Sequence, residues 1–345
     1  MLAIISNSDN PDMREYFSCK FDLNINGDIH FYSSSPESFK NEDILTSTKV
    51  KKNKISVNIF FDFSIICQML KDFRKKKIKY ILFDNVHVAN VFQILIFKAF
   101  GYRIISTIHD YVPHPGSKSI FIAIYNRVFI HFLSDSIIAF SKKFTSKKNV
   151  SYVCLGGIDH QFSPNDVHSR KYIFFNGRLE SYKGMEHLPK IQSFLAKHHP
   201  NKTLLVAGSG YLPNKEYLES CINVQVHNSF ISETELNNYF DNSLLTILPY
   251  NHATQSGVLI RSFSRGVPVV AFDVGSLGEY VCHGENGFIS EQNNLVEFCN
   301  HIDRAILSYD HLSHNTKKIF QQKFSKSAFI TQYQSFINIL KRDKN

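Results

Sequence analysis

The stretch Tyr172-Ile-Phe-Phe-Asn-Gly-Arg-Leu-Glu-Ser-Tyr-Lys183-Gly184 decides how the second half of the chain is expected to fold. A short apolar run is followed by a glycine turn, and the residues after the turn open a helix. Open parallel sheets bind ligands at the carboxyl ends of their strands, where helix N-termini favour anions. Arg178 and Lys183 lie in this turn and predict a diphosphate site. Two solvated basic residues around a turn are the alternative.

The same alternation of short apolar runs and helical-period segments continues over the whole chain. Its 345 residues exceed the usual size of one core, about 100–200 residues, so we expect two α/β domains. A polar segment with two adjacent glycines, Asn149–Lys171, is the expected junction. Strands are predicted at Leu2–Ser6, Asp28–Tyr32, Lys79–Phe83, Arg103–Thr107 and Ser136–Phe140, and then at Tyr172–Asn176, Thr203–Ala207, Asn223–His227, Leu244–Leu248 and Val267–Phe272.

Helix signals fall between these strands. Ala89–Phe100 is followed by Gly101 at the position of a C-terminal glycine cap, and Ser232–Glu235 and Ser276–Glu279 have the sequence of capping boxes. Ala89–Phe100 and Ile120–Leu133 are apolar nearly all round, which indicates burial, with contact to a membrane surface as the alternative. An apolar stripe from Lys326 to about Lys341 predicts a last helix.

Two further glycine turns follow predicted strands. Ala207-Gly-Ser-Gly210 lets a ligand approach the backbone, but it lacks the third glycine of a dinucleotide fingerprint, which argues against a dehydrogenase. The loop Pro249-Tyr-Asn-His-Ala-Thr-Gln-Ser-Gly257-Val-Leu leads into a helix. The amides of Ser256, Gly257 and Val258 are expected to form an anion nest at its start.

These elements occur in an order that resembles family 4 glycosyltransferases of the GT-B fold. The resemblance runs from Gly177-Arg-Leu-Glu-Ser-Tyr-Lys-Gly through Val-Ala-Gly-Ser-Gly, Leu-Pro-Tyr, Ser-Gly-Val-Leu, Gly-Val-Pro-Val-Val-Ala and Gly-Ser-Leu-Gly-Glu to Asn286-Gly-Phe. Weaker matches precede it at Thr107-Ile-His-Asp110, Asp135-Ser-Ile-Ile-Ala-Phe-Ser141 and Gly157-Ile-Asp-His-Gln-Phe-Ser-Pro164.

The resemblance implies an α/β fold with two Rossmann-like domains that face a cleft. Residues 1–158 would be the acceptor domain and residues 159–325 the donor domain, with a helix at residues 326–345 crossing back to the first domain. The implied activity is transfer of a sugar from a nucleotide-diphosphate donor to an acceptor hydroxyl, with retained anomeric configuration. Assembly of bacterial surface polysaccharides is the implied setting.

The same resemblance implies roles for particular residues. Arg178 and Lys183 would hold the donor diphosphate, and His109 would face the transferred sugar, although its imidazole could instead hold a loop. The expected donor-binding residues are Gly177, Gly208, Ser256, Gly257, Val258 and Glu279. For Glu279 the capping box is the stronger interpretation.

The sequence departs from the family pattern at one point. The family carries two glutamates eight positions apart around the glycine loop that corresponds to Pro249–Leu259, and the second glutamate usually contacts the donor ribose. Counted back from Gly266, these positions hold Ala253 and Arg261. A branch that reads Ser-Gly-Val-Leu also lacks the pair, so activity is not excluded. The candidates for the lost hydrogen bonds are Gln255, Ser256 and Glu279.

Other chemistry lacks a motif. Asp-x-Asp does not occur, so we expect no metal site and no cofactor, with the nucleotide sugar bound as a substrate. Sequences of serine hydrolases, zinc proteases and P-loops do not occur either. The six cysteines are scattered without a C-x-x-C pair, which favours reduced thiols in a cytosolic protein.

The net charge of +9, from 39 basic and 30 acidic residues, suits acidic partners. The basic run Lys71–Lys79 is read as a solvated helix end, with anionic lipid as the alternative partner. Nucleic acid is not expected, because no basic motif interleaved with aromatic residues appears. We expect a cytoplasmic protein, peripheral on the inner face of the membrane in the lipid alternative, with a saccharide or lipid-linked saccharide acceptor. A GT-B protein that binds without catalysis and a nucleotide-sugar epimerase remain as alternative functions.

Overall fold

The computed structural model describes residues 1–6, 19, 29–33, 63–84, 90–108, 130–145, 149–159 and 170–342. The chain divides into two compact units. Unit 1 comprises Met1–Cys154 together with Ile330–Asn345, and unit 2 comprises Leu155–Phe329. The ranges below refer to the described residues.

Unit 1 is built on a parallel sheet, whose described strands lie in the order β2-β1-β3-β4-β5-β6. The central strands are buried along nearly their whole length, as expected for a parallel sheet covered on both faces. The strands are β1 (Leu2–Ser6), β2 (Ile29–Ser33), β3 (Tyr80–Phe83), β4 (Arg103–Ile108), β5 (Ser136–Ala139) and β6 (Val150–Tyr152).

The described helices of unit 1 pack on this sheet. They are α1 (Phe63–Lys75), α2 (Asn90–Ala99) and α3 (Ile130–Leu133), and a 3₁₀ turn, Lys142–Phe144, follows β5. Phe73 of α1 and Phe97 of α2 are fully buried, with ring centroids 5.4 Å apart, and they form the centre of an aromatic core. Gly101, with φ +84°, ends α2 at the predicted position.

Unit 2 contains a second parallel sheet, in the order β12-β11-β10-β7-β8-β9 among its described strands. The strands are β7 (Tyr172–Asn176), β8 (Thr203–Ala207), β9 (Val224–His227), β10 (Ser243–Leu248), β11 (Val269–Phe272) and β12 (Gly287–Ser290). β7 lies between β8 and β10, so the chain builds outward from β7 in one direction and later in the other. This reversal creates a topological switch point between β7 and β10.

The helices of unit 2 connect these strands. They are α4 (Leu188–His198), α5 (Lys215–Ser220), α6 (Glu233–Asp241), α7 (Gly257–Ser264), α8 (Leu277–Tyr280), α9 (Leu295–Leu307) and α10 (Tyr309–Ile319). The 3₁₀ turns Ser181–Lys183 and Met185–His187 precede α4, and a π-helical turn, Phe320–Phe324, follows α10. The two sheets confirm the predicted α/β fold class.

The last helix, α11 (Lys326–Arg342), begins in unit 2 and continues into unit 1. Its apolar stripe is buried at Phe329, Tyr333 and Phe336. Within unit 1, the Tyr80 hydroxyl donates to the carbonyl of Leu340 at 2.8 Å. The last helix predicted from the apolar stripe is therefore present, and the stripe is buried at these three residues.

Several sequence predictions need correction. The strands β6 and β12 are missing from the prediction, because Val150–Tyr152 lies in the polar segment assigned to the junction and β12 starts at a glycine. The capping box at Ser276 is wrong. Ser276 has φ −90° and ψ −2°, whereas a capping residue needs an extended backbone, and its hydroxyl accepts no capping hydrogen bond. Most of Ile120–Leu133 lies outside the described residues.

The capping box at Ser232 is confirmed and can be tested against Ser276. The Ser232 hydroxyl accepts from the Glu235 amide, and the Glu235 carboxylate accepts from the Ser232 amide. We expect Ser232→Ala to lower the free energy of unfolding by about 1 kcal/mol. Ser276 stands at the same place in the second predicted capping box but makes no such hydrogen bond. Ser276→Ala should therefore leave the free energy of unfolding nearly unchanged. Denaturant unfolding measures both, and equal costs would contradict this assignment.

Candidate functional site

The switch point of the second sheet defines the place where a ligand is expected. Ligands of open parallel sheets bind outside the carboxyl ends of the strands, where neighbouring connections leave in opposite directions. The loop after β7 carries residues 177–187, and the loop after β10 carries residues 249–256. The two loops touch, since the amide of Asn251 donates to the carbonyl of Tyr182 at 2.8 Å. A β-carbon on Gly184 would lie only 1.7 Å from the carbonyl oxygen of Pro249.

Lys183 is the buried cation of this region. Its ammonium group donates to the Tyr250 hydroxyl at 3.4 Å and lies 5.1 Å from the centroid of the Tyr250 ring. Burying a charge is costly unless other groups compensate it. The tyrosine provides part of that compensation through its hydroxyl and its π face. The contact between these two loops thus places the ammonium group of Lys183 at the switch point.

Gly177 leaves room for this ammonium group. A β-carbon built on Gly177 would lie 2.3 Å from Lys183 Nζ and 3.6 Å from a methyl carbon of Val258. Gly177 also has φ +113°, a conformation that favours glycine. Gly208 is constrained in the same way, because its β-carbon would meet the carbonyl oxygen of Gly177 at 1.8 Å. The glycines predicted to bind the donor therefore allow the loops after β7 and β8 to approach each other and Lys183.

The start of α7 lies beside this pocket. Ser256 is the capping residue, and its hydroxyl accepts from the amide of Leu259 at 3.2 Å. The helical ladder begins with the amide of Ile260, which donates to the Ser256 carbonyl. The amides of Gly257 and Val258 precede these bonds and belong to the first turn, whose N–H groups have no partner within a helix. The anion nest predicted from the sequence falls at this helix start and stays a prediction.

Two tyrosines with neutral hydroxyls, Tyr182 and Tyr250, lie near Lys183, and their ring centroids are 6.4 Å apart. Burial raises the pKa of Tyr250 well above its usual value, while a hydrogen bond with Ser256 acts in the opposite direction. Burial also raises the pKa of Tyr182, partly offset by the positive charge of Lys183. Both side chains remain protonated at neutral pH. They add hydrogen-bonding capacity to the site without adding negative charge that would oppose an anion.

Arg178 differs from Lys183 in its surroundings. Its side chain is 59% exposed, and its guanidinium contacts the Glu180 carboxylate at 3.0 Å. Exposed ion pairs of this kind contribute little stability, so the guanidinium can exchange Glu180 for a ligand at small cost. Burial raises the pKa of Tyr182, and the charges of Lys183 and, to a smaller extent, Arg178 oppose this rise, so Arg178 also acts on the pocket electrostatically.

The other predicted site residues have different outcomes. His109 lies outside the described residues. Glu279 is half-buried on α8, beyond β11, and the capping-box role that the sequence favours for it is wrong. Sequence analysis gives no role to Tyr182 and Tyr250, although Tyr250 stands in the quoted motif Leu-Pro-Tyr. Only the folded loops bring Tyr250 to Lys183.

The position of the second family glutamate holds a cation in an ion pair. Arg261 of α7 contacts the carboxylate of Glu233 and donates to the side-chain oxygen of Asn237 at 2.9 Å. Both partners are on α6. The substitution therefore changes the sign of the charge at this position and connects two helices.

Metal and membrane features can be assessed over the same described ranges. These contain no group of three or more His, Cys, Asp or Glu side chains arranged to hold a metal ion. None of their helices has the length and apolar character required to cross a bilayer. The prediction that no cofactor is required is not tested by these observations.

Comparison with solved structures identifies the class of fold. HepE from Anabaena, solved in complex with UDP and in another structure with UDP-glucose, matches with a TM-score of 0.71 at 16% sequence identity. The match covers 98% of this chain and 99% of that one. The fold is therefore GT-B, as the sequence predicts.

The sequence comparisons concern mainly the second unit. Residues 158–323 match the family model "Glycosyl transferases group 1". An uncharacterized glycosyltransferase of Haemophilus influenzae is 31% identical over 165 residues, covering 47% of this chain and 44% of that protein. A poly(glycerol-phosphate) alpha-glucosyltransferase of Bacillus subtilis is 27% identical over 224 residues, covering 61% of this chain and 31% of that protein. The matches thus span less than half of either relative.

The role of Gly177 can be tested against a glycine that has similar backbone strain but open surroundings. Gly284 has φ +81°, and nothing lies within 4 Å of the position that a β-carbon would take there. Alanine at either position should cost about 1–2 kcal/mol in unfolding free energy, because the backbone is left-handed. Only Gly177→Ala should also displace the Lys183 ammonium group and weaken the binding of inorganic pyrophosphate, an anion that suits this pocket, measured by calorimetric titration. Equal pyrophosphate affinity of the two variants would contradict this role.

Proposed function

We propose that the protein is a glycosyltransferase that moves a sugar from a nucleoside-diphosphate donor to an acceptor hydroxyl. The observation that carries the proposal is the juxtaposition of Lys183, Gly177 and the start of α7 at the switch point. A buried ammonium group and the amides of a helix N-terminus suit a diphosphate. The family match and the glycosyltransferase relatives support the same reaction class.

The reaction places a chemical demand on this pocket. The bond between the anomeric carbon of the sugar and the diphosphate oxygen breaks, and its electron pair remains on the diphosphate. The acceptor oxygen forms the new bond to that carbon, and its proton passes to solvent water. Negative charge therefore grows on the leaving diphosphate, next to Lys183 and Arg178. Groups that are already positioned around developing charge lower the barrier most effectively.

Finer features of the function belong to the same proposal. The donor is a nucleotide sugar, the configuration at the anomeric carbon is retained, and the chain belongs to the branch with Ser-Gly-Val-Leu and without the glutamate pair. No metal or other cofactor takes part. Units 1 and 2 act as the acceptor and donor domains. The acceptor is a saccharide or lipid-linked saccharide of a bacterial surface polysaccharide.

Replacement of Lys183 tests the reaction directly. A thermal-shift panel of UDP-, GDP- and dTDP-sugars first identifies the donor, since a ligand at 100 times its Kd stabilises the fold by about 2.7 kcal/mol. With that donor, we expect Lys183→Ala to lower turnover about 10²- to 10³-fold, because charge on the leaving diphosphate loses its buried partner. Release of nucleoside diphosphate is measured.

The matched control is Lys190→Ala, which removes an exposed lysine on the neighbouring helix α4 and should leave turnover unchanged. Near-normal turnover by Lys183→Ala would refute the assignment of this residue. Formation of an epimer of the donor sugar without acceptor would instead indicate an epimerase. No response to any donor would favour a binding protein without catalysis.

We further propose that unit 1 rests on an anionic membrane surface at the inner face. Exposed apolar side chains occur on or next to all three described helices of this unit, at Phe63, Leu95, Phe100 and Phe132. Basic groups accompany them, since Arg74 stacks over the Phe100 ring at 5.7 Å and Lys71 is exposed on the same helix as Arg74. Exposed aromatics beside basic side chains suit anionic headgroups.

Vesicle sedimentation tests this surface. The protein should sediment with phosphatidylglycerol vesicles and not with phosphatidylcholine vesicles, and added salt should release it. The double variant Phe100→Ser/Phe132→Ser should sediment several-fold less. Ile222→Ser, which removes an exposed apolar residue of unit 2, should behave like the unchanged protein. Absence of binding to phosphatidylglycerol would contradict the membrane proposal without affecting the transferase proposal.

A further inference from the structure

The ion pair between Arg261 and Glu233 joins a shielded cation to an accessible carboxylate. The Arg261 side chain is only 13% exposed, whereas the Glu233 side chain is 68% exposed. The guanidinium is further fixed by Asn237 and lies 5.9 Å from the centroid of the Phe240 ring. Arg261 therefore holds the Glu233 carboxylate at the surface in a defined position, and part of that carboxylate remains open to a ligand.

This carboxylate lies close to the diphosphate pocket. Val258, which borders the pocket next to Gly177, packs against the same buried apolar cluster as Ile231 and Leu236. Glu233 stands between Ile231 and Leu236 in the chain, in the first turn of α6. Arg261 follows Val258 by three residues, so both project from the same side of α7. Glu233 is thus a neighbour of the pocket and is connected to it through α7.

The chemistry of a carboxylate at this position is specific. An ionised carboxylate only accepts hydrogen bonds, so it repels phosphate and suits a group that donates. The ribose of a nucleotide presents two adjacent hydroxyl donors at a short distance from its diphosphate. In other dinucleotide sites of parallel sheets, an acidic residue binds these hydroxyls. Glu233 offers the same kind of acceptor here, with its charge stabilised by Arg261 and by the N-terminus of α6.

The loop that leads to Glu233 carries an exposed aromatic residue. Phe230 is 81% exposed. With its amide nitrogen turned towards the preceding glycine loop, Asn228 donates to the carbonyls of Gly208 and Gly210 at 3.0 and 3.1 Å, which anchors this segment to the turn after β8. An exposed aromatic face next to a ribose acceptor suits stacking of a nucleobase.

We propose that residues 228–233 form the nucleoside subsite of the donor, in which Glu233 accepts from the ribose hydroxyls and Phe230 provides a surface for the base. Arg261 is a positioning residue that holds the Glu233 carboxylate. This inference rests on the proposed function. It also explains how a cation can replace the family's carboxylate at residue 261, because the negative charge has moved to the facing helix.

Ribose discrimination is the measurement that isolates this subsite. UDP, GDP and ADP are titrated by calorimetry, and the tightest of them is compared with its 2′,3′-dideoxy counterpart. The affinity of the unchanged protein should be about tenfold or more higher for the ribonucleotide, because each hydrogen bond to a charged acceptor contributes about 1.5–3 kcal/mol. Glu233→Gln should reduce the preference below about threefold, and Arg261→Gln should reduce it partly. Phe230→Ala should weaken both nucleotides equally.

Glu219→Gln is the matched control. Like Glu233, Glu219 is an exposed carboxylate in an ion pair, here with Lys215, but it stands on α5, outside the proposed subsite. It should keep the full preference. An unchanged preference in Glu233→Gln, or no preference in the unchanged protein, would overturn the subsite. Two results together would instead contradict the proposed function itself. In that case none of the three nucleotides would bind, and inorganic pyrophosphate would bind equally to the unchanged protein and to Lys183→Ala.

Discussion

The close approach of backbone loops at one edge of the second sheet is the constraint on which the site depends. Gly208 faces the carbonyl of Gly177, Gly184 faces the carbonyl of Pro249, and Gly275 faces the carbonyl of Ala253, and in each case a β-carbon would lie less than 2 Å from the oxygen. Side chains at these positions would separate the loops. The ammonium group of Lys183 would then lose the enclosure that keeps it near Tyr250.

The fold and the site are predictable to different degrees, for physical reasons. Apolar strands of parallel sheets are visible in sequence because they are buried on both faces, so the predictions of β7 and β8 agree with the structure to the residue. The strand β12 is missed because it begins with Gly287, which lies against the carbonyl of Val269, whereas a glycine in a sequence usually indicates a turn. Ser276 resembles a cap in spacing, but the left-handed Gly275 before it belongs to a turn that gives Ser276 a helical backbone.

The site shows the same difference between local and distant information. Gly177, Lys183 and Ser256 are identifiable because each stands at a strand end or helix start that local sequence reveals. Tyr250 is not, because its role depends on a contact between loops that are distant in the chain. The departure at residue 261 is visible in sequence only as a missing carboxylate. The contact of Arg261 with Glu233 requires the packing of α7 against α6, which no local pattern encodes.

The two cations of the proposed diphosphate site, Lys183 and Arg178, differ in how much they must rearrange. Lys183 is buried and already held by Tyr250, so its charge needs little reorientation when a reaction develops charge nearby. Arg178 is exposed and paired with Glu180, so it must exchange a partner before it can contact a ligand. In the proposed reaction, a fixed charge contributes mainly to the transition state, whereas a mobile guanidinium contributes mainly to capture of the donor. Within the proposed function, this difference favours Lys183 as the residue that stabilises the leaving diphosphate and Arg178 as the residue that binds the donor.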